Sequence, residues 1–288
     1  MNIAILNDSN GHFEMFGYLM FLFNKKHTIT VFYNNDRYNY IKFFETQFGN
    51  VKKEKLETFN NCFNKFNKVF VITMNNYLMK SFNEIKDITY GIIHAHHRKS
   101  SFIDNYITLY PKQMKEFKKI SNDPNKKFYC TIPFYNISIN NIPFEKKIYI
   151  LYIGNLWDDD DDLKLFEKNI KYEIIYFTKR KNKGISRDMF TLNKYLQNSI
   201  FILGRKTWHY PYAYTGSLGL SFSFNVPIIL PEFKQKEYKL PCITFKENYC
   251  ELIDYINTIN IDDYNKLLKN MDNIKDQEIE KNKKLFEL

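Results

Sequence analysis

Short apolar runs alternate with amphipathic stretches along the first half of the chain. The first run, Asn2 to Leu6, is apolar after its first residue, as expected for a strand buried on both faces of a parallel sheet. A polar loop and a helical stretch from about His12 to Asn24 come next, and His27 to Tyr33 forms the second predicted strand. This strand–helix–strand order predicts a doubly wound α/β domain. Further strands are predicted over residues 50–55, 68–73, 89–94, 106–109 and 128–132, and helices over 38–48 and 76–82.

The same alternation begins again after a polar, proline-containing stretch between Pro133 and Lys147. Strands are predicted over residues 148–153, 173–177, 199–203, 228–230 and 242–245, and helices over 190–198, 218–224, 249–260 and from 262 to the end. We therefore expect an α/β protein with two Rossmann-like parallel-sheet domains that face each other across a cleft. The predicted domains are residues 1–140 and 141–288. Because open parallel sheets bind ligands at the carboxyl ends of their strands, the site is expected in that cleft.

One stretch of the second half, Leu203 to Pro231, combines several features of an anion site. Arg205 and Lys206 follow an apolar strand, and Thr215-Gly216-Ser217 opens an apolar helix. A Thr or Ser at that position caps a helix, and the glycine lets a ligand approach the backbone closely. Free N–H groups at a helix start, close to two cations, favour a bound phosphate. The alternative is an ordinary capped helix within a βαβ unit.

Composition and charge narrow the classes of function. The chain has 288 residues, of which 44% are hydrophobic, and a formal net charge of +10. The charge is spread along the chain without an arginine-rich block, so we expect phosphate-bearing ligands and do not favour nucleic acid as a partner. The abundance of Asn, Lys, Ile, Tyr and Phe is typical of an A/T-rich genome, such as that of some viruses and microbes.

The cysteines and the apolar runs indicate a soluble protein of the cytoplasm. The four cysteines have no C-x-x-C spacing, which favours free thiols in a reducing compartment. The opening apolar run is too short for a secretory signal. Charged residues interrupt the next apolar run and argue against a membrane span.

Three local motifs resemble those of the GT-B glycosyltransferases, enzymes with two Rossmann-like domains that transfer sugar from nucleotide-sugar donors. MNIAILNDSNGH, ending in Gly11-His12, is similar to the first strand and Gly-His loop of inverting members. GIIHAHH, ending at His97, resembles a strand that ends in His-x-His. YTGSLGLSFSFNVPII, which begins at Tyr214, looks like a divergent donor-site motif.

The resemblance implies a hexosyltransferase-like enzyme without a metal or other cofactor, which uses a nucleotide-sugar co-substrate such as a UDP- or GDP-sugar. It implies that His12 removes the acceptor proton, with Glu14 or Asp8 orienting the imidazole or acting as the base instead. The donor is expected to contact Arg205, Lys206, Thr215, Gly216, Ser217, Gly154 and Asn155. The acceptor, a sugar, glycan or protein, is expected to contact Gly11, His96, His97, Arg98 and Tyr214.

Two positions depart from the family's donor motif. Aligned on the proline, the ribose-binding glutamate becomes Leu220 and the glycine before the proline becomes Asn225. The ribose would then need another partner, and Glu232 and Glu237 are candidates. The histidine cluster is not predicted to bind metal, because neighbouring residues of a strand face opposite ways and a zinc site needs three or four ligands.

Two other functions fit the same fold class. The chain could be a catalytically silent GT-B relative that serves in binding or assembly, or a glucosyltransferase that modifies DNA. For an active enzyme, both inverting and retaining chemistry remain open at this point, as does the oligomeric state.

Overall fold

The computed structural model describes residues 1–8, 12, 14–23, 26–36, 38–73, 83–93, 103–121, 123–137, 142–153, 161–177, 188–204 and 216–286. Its described residues form two compact units. The first contains residues 1–135, 216 and 280–286, and the second contains residues 136–204 and 217–279. Each unit is built around one parallel sheet.

The first unit contains a seven-stranded sheet in the order β3-β2-β1-β4-β5-β6-β7, in which every pairing is parallel. Its strands are β1 (Asn2–Asn7), β2 (Thr28–Tyr33), β3 (Lys52–Lys55), β4 (Lys68–Val71), β5 (Thr89–Ile93), β6 (Asn105–Thr108) and β7 (Lys127–Cys130). Its helices are α1 (Glu14–Phe23), α2 (Tyr40–Phe48) and α3 (Pro111–Ile120). The parallel sheet predicted from the buried apolar runs is confirmed. The helix predicted over 76–82 lies outside the described residues.

The strand order of this sheet reverses at β1. The chain goes from β1 to β2 on one side and later returns to place β4 on the other side of β1. The carboxyl ends of β1 and β4 therefore border the crevice where an open parallel sheet binds its ligand. On the helical face, Gly17 lets α1 approach α2, because a Cβ there would lie 2.4 Å from Cε1 of Phe44.

The second unit contains a five-stranded parallel sheet in the order β12-β11-β10-β8-β9. Its strands are β8 (Tyr149–Ile153), β9 (Glu173–Phe177), β10 (Ser199–Leu203), β11 (Ile228–Pro231) and β12 (Ile243–Phe245). Its helices are α4 (Asp161–Asn169), α5 (Met189–Gln197), α6 (Gly216–Phe224, of which Gly216 groups with the first unit), α7 (Glu232–Tyr238), α8 (Ile253–Thr258) and α9 (Ile261–Phe286). Here the order reverses between β8 and β10. The sequence did not predict α7, and the helix predicted over 249–260 is a 3₁₀ turn (Tyr249–Leu252) followed by α8.

Helix α6 is buried on every side, which explains why its sequence shows no polar face. Its serines satisfy their hydroxyls locally: Ser221 donates to the Val226 carbonyl at 2.7 Å and Ser223 to the Gly219 carbonyl at 2.6 Å. Asn225 ends the helix with a φ of 51°, a left-handed conformation that Asn tolerates better than most residues. Asn225 therefore fills the place of the family's glycine without losing the turn.

The last residues of α9 pack within the first unit. Phe286 lies 5.6 Å, ring centre to ring centre, from both Phe23 and Phe70. A buried chain of hydrogen bonds joins Tyr18, Thr131 and Asn282, with oxygen separations of 3.0 and 2.8 Å. The first unit's core is therefore completed by the C-terminal end of the chain.

Candidate functional site

The carboxyl ends of β1 and β4 bring three polar side chains together. Leu6 pairs with Val71, and the Ile72 N–H continues the ladder to the Leu6 carbonyl at 2.9 Å. As a result, the Thr73 hydroxyl oxygen lies 2.8 Å from Oδ1 of Asn7 and 2.5 Å from Oδ1 of Asp8. It also accepts the Asp8 N–H at 3.1 Å. Of these residues the sequence predicted a role only for Asp8.

His12 follows this edge in an uncommon backbone conformation. Its φ is 64°, and its carbonyl accepts the N–H of Met15 at 3.1 Å, which joins it to the start of α1. A non-glycine residue in the left-handed region costs about 1–2 kcal/mol, and such strain is concentrated at functional sites. The predicted helix thus begins two residues later than expected, and the difference leaves the imidazole side chain 44% exposed.

Glu14, the first residue of α1, lies against His12. The distance from its Oε1 to Nδ1 of His12 is 3.6 Å, and its side chain is only 16% exposed. A carboxylate at that distance stabilises the protonated imidazole once the ring has taken up a proton. The prediction that Glu14 could orient His12 fits this geometry, while its catalytic role stays a prediction.

Gly216, the first residue of α6, groups with the first unit and lies close to Glu14. A Cβ placed on Gly216 would be 3.0 Å from Oε1 of Glu14. The glycine that was predicted to let a ligand approach therefore already gives room to a carboxylate oxygen at the helix start.

Gly204 directly follows β10 in the second unit and was not among the predicted site residues. Its N–H donates to the Ile229 carbonyl at 2.8 Å, and its carbonyl accepts the hydroxyl of Tyr249 at 3.1 Å. A Cβ there would lie 2.5 Å from Cδ2 of Leu230 and 2.8 Å from the Ile229 oxygen. Only glycine fits at this end of β10. The signal in the sequence that could have identified Gly204 is its place directly before two cationic residues, Arg205 and Lys206.

The ribose-binding acid of the family has no counterpart at the aligned position. Leu220 is buried with 6% exposure within α6. The two candidate replacements form ion pairs on their own helix: Glu232 with Lys236 at 2.6 Å, and Glu237 with Lys234 at 2.9 Å. The hydrogen bond from Lys236 lowers the pKa of Glu232 below its usual value.

Ser217 is buried at 2% exposure in α6. The remaining predicted site residues lie outside the described residues, and their roles stay predictions: Gly11, His96, His97, Arg98, Gly154, Asn155, Arg205, Lys206, Tyr214 and Thr215. Within the described part of the chain, no three His, Cys, Asp or Glu side chains come together as metal ligands would. None of the helices in that part has the length and hydropathy that a membrane-spanning segment requires.

Two of the described thiols, those of Cys62 and Cys242, are not activated. None of the four cysteines takes part in a disulfide bond. Burial raises the pKa of the Cys242 thiol to about 12, and it raises that of Cys62 as well. A raised pKa keeps a thiol protonated and makes it a poor nucleophile.

No protein-family model matches this chain, and no curated protein matches it. Solved structures do match. HepE of Anabaena in complex with UDP-glucose has a TM-score of 0.63 and 11% identity, over 97% of this chain and 95% of HepE. UDP-GlcNAc 2-epimerase from Neisseria meningitidis bound to UDP-GlcNAc has a TM-score of 0.55 and 9% identity, over 94% and 99%. UGT89C1 of Arabidopsis thaliana complexed with UDP has a TM-score of 0.52 and 10% identity, over 95% and 94%.

These matches extend over both units of this chain and over almost the whole length of each matched structure. Together with the two parallel sheets they define a GT-B-fold protein, and the fold expected from the sequence motifs is confirmed. Because the sequence identities are only 9–11%, the matches show the fold alone. Because the matches include an epimerase, the fold leaves the reaction to be argued from the residues of the site.

Proposed function

We propose that this protein is a glycosyltransferase that moves a sugar from a nucleotide-sugar donor to an acceptor hydroxyl. The observation that carries the proposal is the His12–Glu14 pair, held on the loop after β1 in a chain with the GT-B fold. HepE and UGT89C1, which share the fold, were solved with UDP-glucose and UDP. A UDP-sugar is therefore the first donor to test.

In the proposed reaction, His12 accepts the proton of the acceptor hydroxyl while the hydroxyl oxygen attacks the sugar carbon. An imidazole suits this step because its ordinary pKa lies near neutral pH. Glu14, 3.6 Å away, stabilises the imidazolium that forms and orients the ring. Direct attack by the acceptor breaks the bond to the diphosphate from the opposite side, so the product has inverted configuration.

The donor diphosphate is proposed to bind at the start of α6. The backbone N–H groups of Gly216 and Ser217 are at a helix N-terminus, where anions are favoured. Arg205 or Lys206, which follow Gly204 in the chain, would neutralise the charge that develops on the leaving diphosphate. This arrangement supplies the stabilisation without a metal. Since Leu220 replaces the ribose-binding acid, we expect weaker discrimination at the ribose than in relatives that retain it.

The test has a binding arm and a turnover arm. A thermal-shift screen with UDP-, GDP-, CMP- and TDP-sugars measures binding, because a ligand at a hundredfold its Kd stabilises by about 2.7 kcal/mol. Release of UDP from UDP-glucose measures turnover. We expect His12→Ala to keep the thermal shift and to lose about 1000-fold in kcat. His27→Gln, on the residue that precedes β2, is the matched control and should leave kcat unchanged.

Each rival function gives a different result in these assays. A silent GT-B relative would bind the nucleotide sugar and show the same low turnover with or without His12. An epimerase would convert the sugar of the donor without needing an acceptor. A DNA-modifying enzyme would bind duplex DNA with a steep dependence on salt. Absence of any thermal shift with the four nucleotide sugars would overturn the proposal.

A further inference from the structure

In the polar cluster at the ends of β1 and β4, the Thr73 hydroxyl faces more acceptors than it has protons. The single proton of the Thr73 hydroxyl faces two acceptors, Oδ1 of Asn7 at 2.8 Å and Oδ1 of Asp8 at 2.5 Å. A hydroxyl donates only one hydrogen bond at a time. The shorter contact is in the range of a hydroxyl bound to a carboxylate. We therefore infer that the Thr73 hydroxyl donates its hydrogen bond to Oδ1 of Asp8. Thr73 thus holds one oxygen of the carboxylate in a fixed position.

The second oxygen of that carboxylate has no such support. Oδ2 of Asp8 is buried and has no hydrogen-bond partner among the residues that the structure describes. A buried carboxylate oxygen without a donor is costly and therefore rare in folded proteins. Unpaired polar groups of this kind are found at functional sites, where a ligand supplies the missing hydrogen bond. The missing partner is a hydrogen-bond donor.

The position of Asp8 agrees with a ligand contact. It directly follows β1, next to the end of β4, where the strand order of the seven-stranded sheet reverses. Open parallel sheets bind ligands at this point. His12 and Glu14 come from the same loop and the helix after it. The unpaired oxygen therefore lies on the segment that the proposed function assigns to the acceptor.

We propose that Asp8 Oδ2 accepts a hydrogen bond from a hydroxyl group of a neutral, polyhydroxylated acceptor, and that Thr73 positions the carboxylate for it. This inference rests on the proposed function and names the chemistry of its acceptor subsite. The charge of Asp8 argues against a contact with the donor diphosphate, because two anions repel each other. A sugar hydroxyl supplies the one donor that is missing.

A hard cation is the competing occupant. Such an ion in a protein takes six or more oxygen ligands, usually with several carboxylates. Among the described residues, no three acidic, His or Cys side chains come together as the ligands of a metal ion would. The observed set of one carboxylate, one amide and one hydroxyl therefore fits a hydroxyl donor better, and the cation becomes an outcome of the test.

Asp8→Asn tests the inference because it keeps the shape of the side chain and removes its charge. We expect Tm of the unliganded variant to rise by about 2 °C, because a neutral amide is less costly to bury without a partner than a charged carboxylate. We expect the thermal shift with UDP to stay as in the unmodified protein. Turnover of UDP-glucose, with glycerol, D-glucose or D-galactose as acceptor, should fall about 100-fold. A purely structural Asp8 would instead give a lower Tm.

Thr73 supplies the matched pair of variants. Thr73→Ser keeps the hydroxyl and should behave like the unmodified protein, while Thr73→Val should slow turnover and leave UDP binding intact. The inference requires both the raised Tm and the slower turnover of Asp8→Asn; either one without the other overturns it. A rise in Tm with MgCl₂ that Asp8→Asn abolishes would also overturn it, in favour of a cation. If the unmodified protein shows neither a thermal shift with UDP nor turnover of UDP-glucose, the proposed function fails. That result does not depend on the Asp8 and Thr73 variants, so the two failures can be distinguished.

Discussion

The carboxyl edges of the two sheets differ in the kind of chemistry they present. At the edge of the first sheet, the described residues carry ionisable and hydroxyl side chains, from Asp8 and Thr73 to His12 and Glu14. At the edge of the second sheet, the described residue that follows the central strand β10 is Gly204, where no Cβ fits. Helix α6, after its first residue, is buried throughout.

This difference matches two kinds of ligand contact. Proton transfer needs side chains that titrate or donate hydrogen bonds, and the first edge has them. Binding of a diphosphate needs backbone N–H groups and little steric bulk, and the second unit, with the start of α6, offers glycine and a helix start. The contrast predicts that substitutions at the first edge lower kcat, while substitutions at the second edge lower stability or donor affinity.

The largest effect on stability is expected at Gly204. Gly204→Ala places a Cβ 2.5 Å from Cδ2 of Leu230 and 2.8 Å from the Ile229 oxygen, and overpacking of this kind costs about 3 kcal/mol. We expect Tm to fall by about 6 °C in a thermal melt. In a Leu230→Ala background the same substitution should cost less, because one of the two clashes is gone. An unchanged Tm would show that the second edge tolerates a side chain.

The next largest effect is expected on turnover, at Glu14. Glu14→Gln removes the charge that faces Nδ1 of His12 at 3.6 Å but keeps the length of the side chain. We expect kcat for UDP-glucose turnover to fall about 10- to 100-fold with little change in KM, because the charge acts after the imidazole has been protonated. Glu116→Gln on α3, where the carboxylate pairs with Lys119 at 3.2 Å, is the control. A rise in KM alone would place Glu14 in donor binding.

The parts of this fold that could be predicted are those that local pattern determines. A parallel strand is buried on both faces, so its apolar run is visible in the sequence, and Glu173–Phe177 and Ser199–Leu203 were predicted with the bounds that they have. Gly-His at residues 11–12 likewise pointed to the loop after β1. Helix α7, which is short and polar on its surface, has no comparable run and was not predicted.

The details of the candidate site depend on distant residues and could not be predicted in the same way. Thr73 reaches Asp8 only because β1 and β4 are neighbours in the sheet, although 65 positions separate the two residues. The left-handed backbone of His12 and the crowding around Gly204 also arise from tertiary packing. The alignment of Leu220 with the ribose-binding acid stays a prediction, and the burial of this leucine was visible only in the structure.

A smaller effect is expected at Lys147, just before β8 at the amino end of the second sheet. Its ammonium donates to the carbonyls of Gln197 and Ser199 at 3.0 and 3.3 Å, and burial lowers its pKa to about 8. The folded protein therefore binds fewer protons than the unfolded chain between about pH 8 and the ordinary lysine value near 10.4, so stability rises with pH in that window.

The contribution of Lys147 is measured as the difference in free energy of unfolding between the unmodified protein and Lys147→Met. From pH 7 to pH 10 the unmodified protein should gain on the order of 1 kcal/mol in free energy of unfolding relative to the variant. Urea denaturation at both pH values measures the difference. Turnover at pH 7 should be the same in both proteins, because Lys147 lies at the sheet edge opposite to the proposed site. A parallel loss of turnover would contradict that assignment.

The smallest effect is expected at Gly216, which groups with the first unit and lies next to Glu14. A Cβ at Gly216 would stand 3.0 Å from Oε1 of Glu14, which is the mobile end of a side chain and can shift by a few tenths of an ångström. We expect Gly216→Ala to change Tm by less than about 1 °C and kcat by roughly threefold, through displacement of Glu14 from His12. In a Glu14→Gln background the same substitution should have no further effect on kcat, since the charge that it displaces is absent. An equal loss in both backgrounds would mean that Gly216 acts on the donor directly and would assign this helix start to the diphosphate alone.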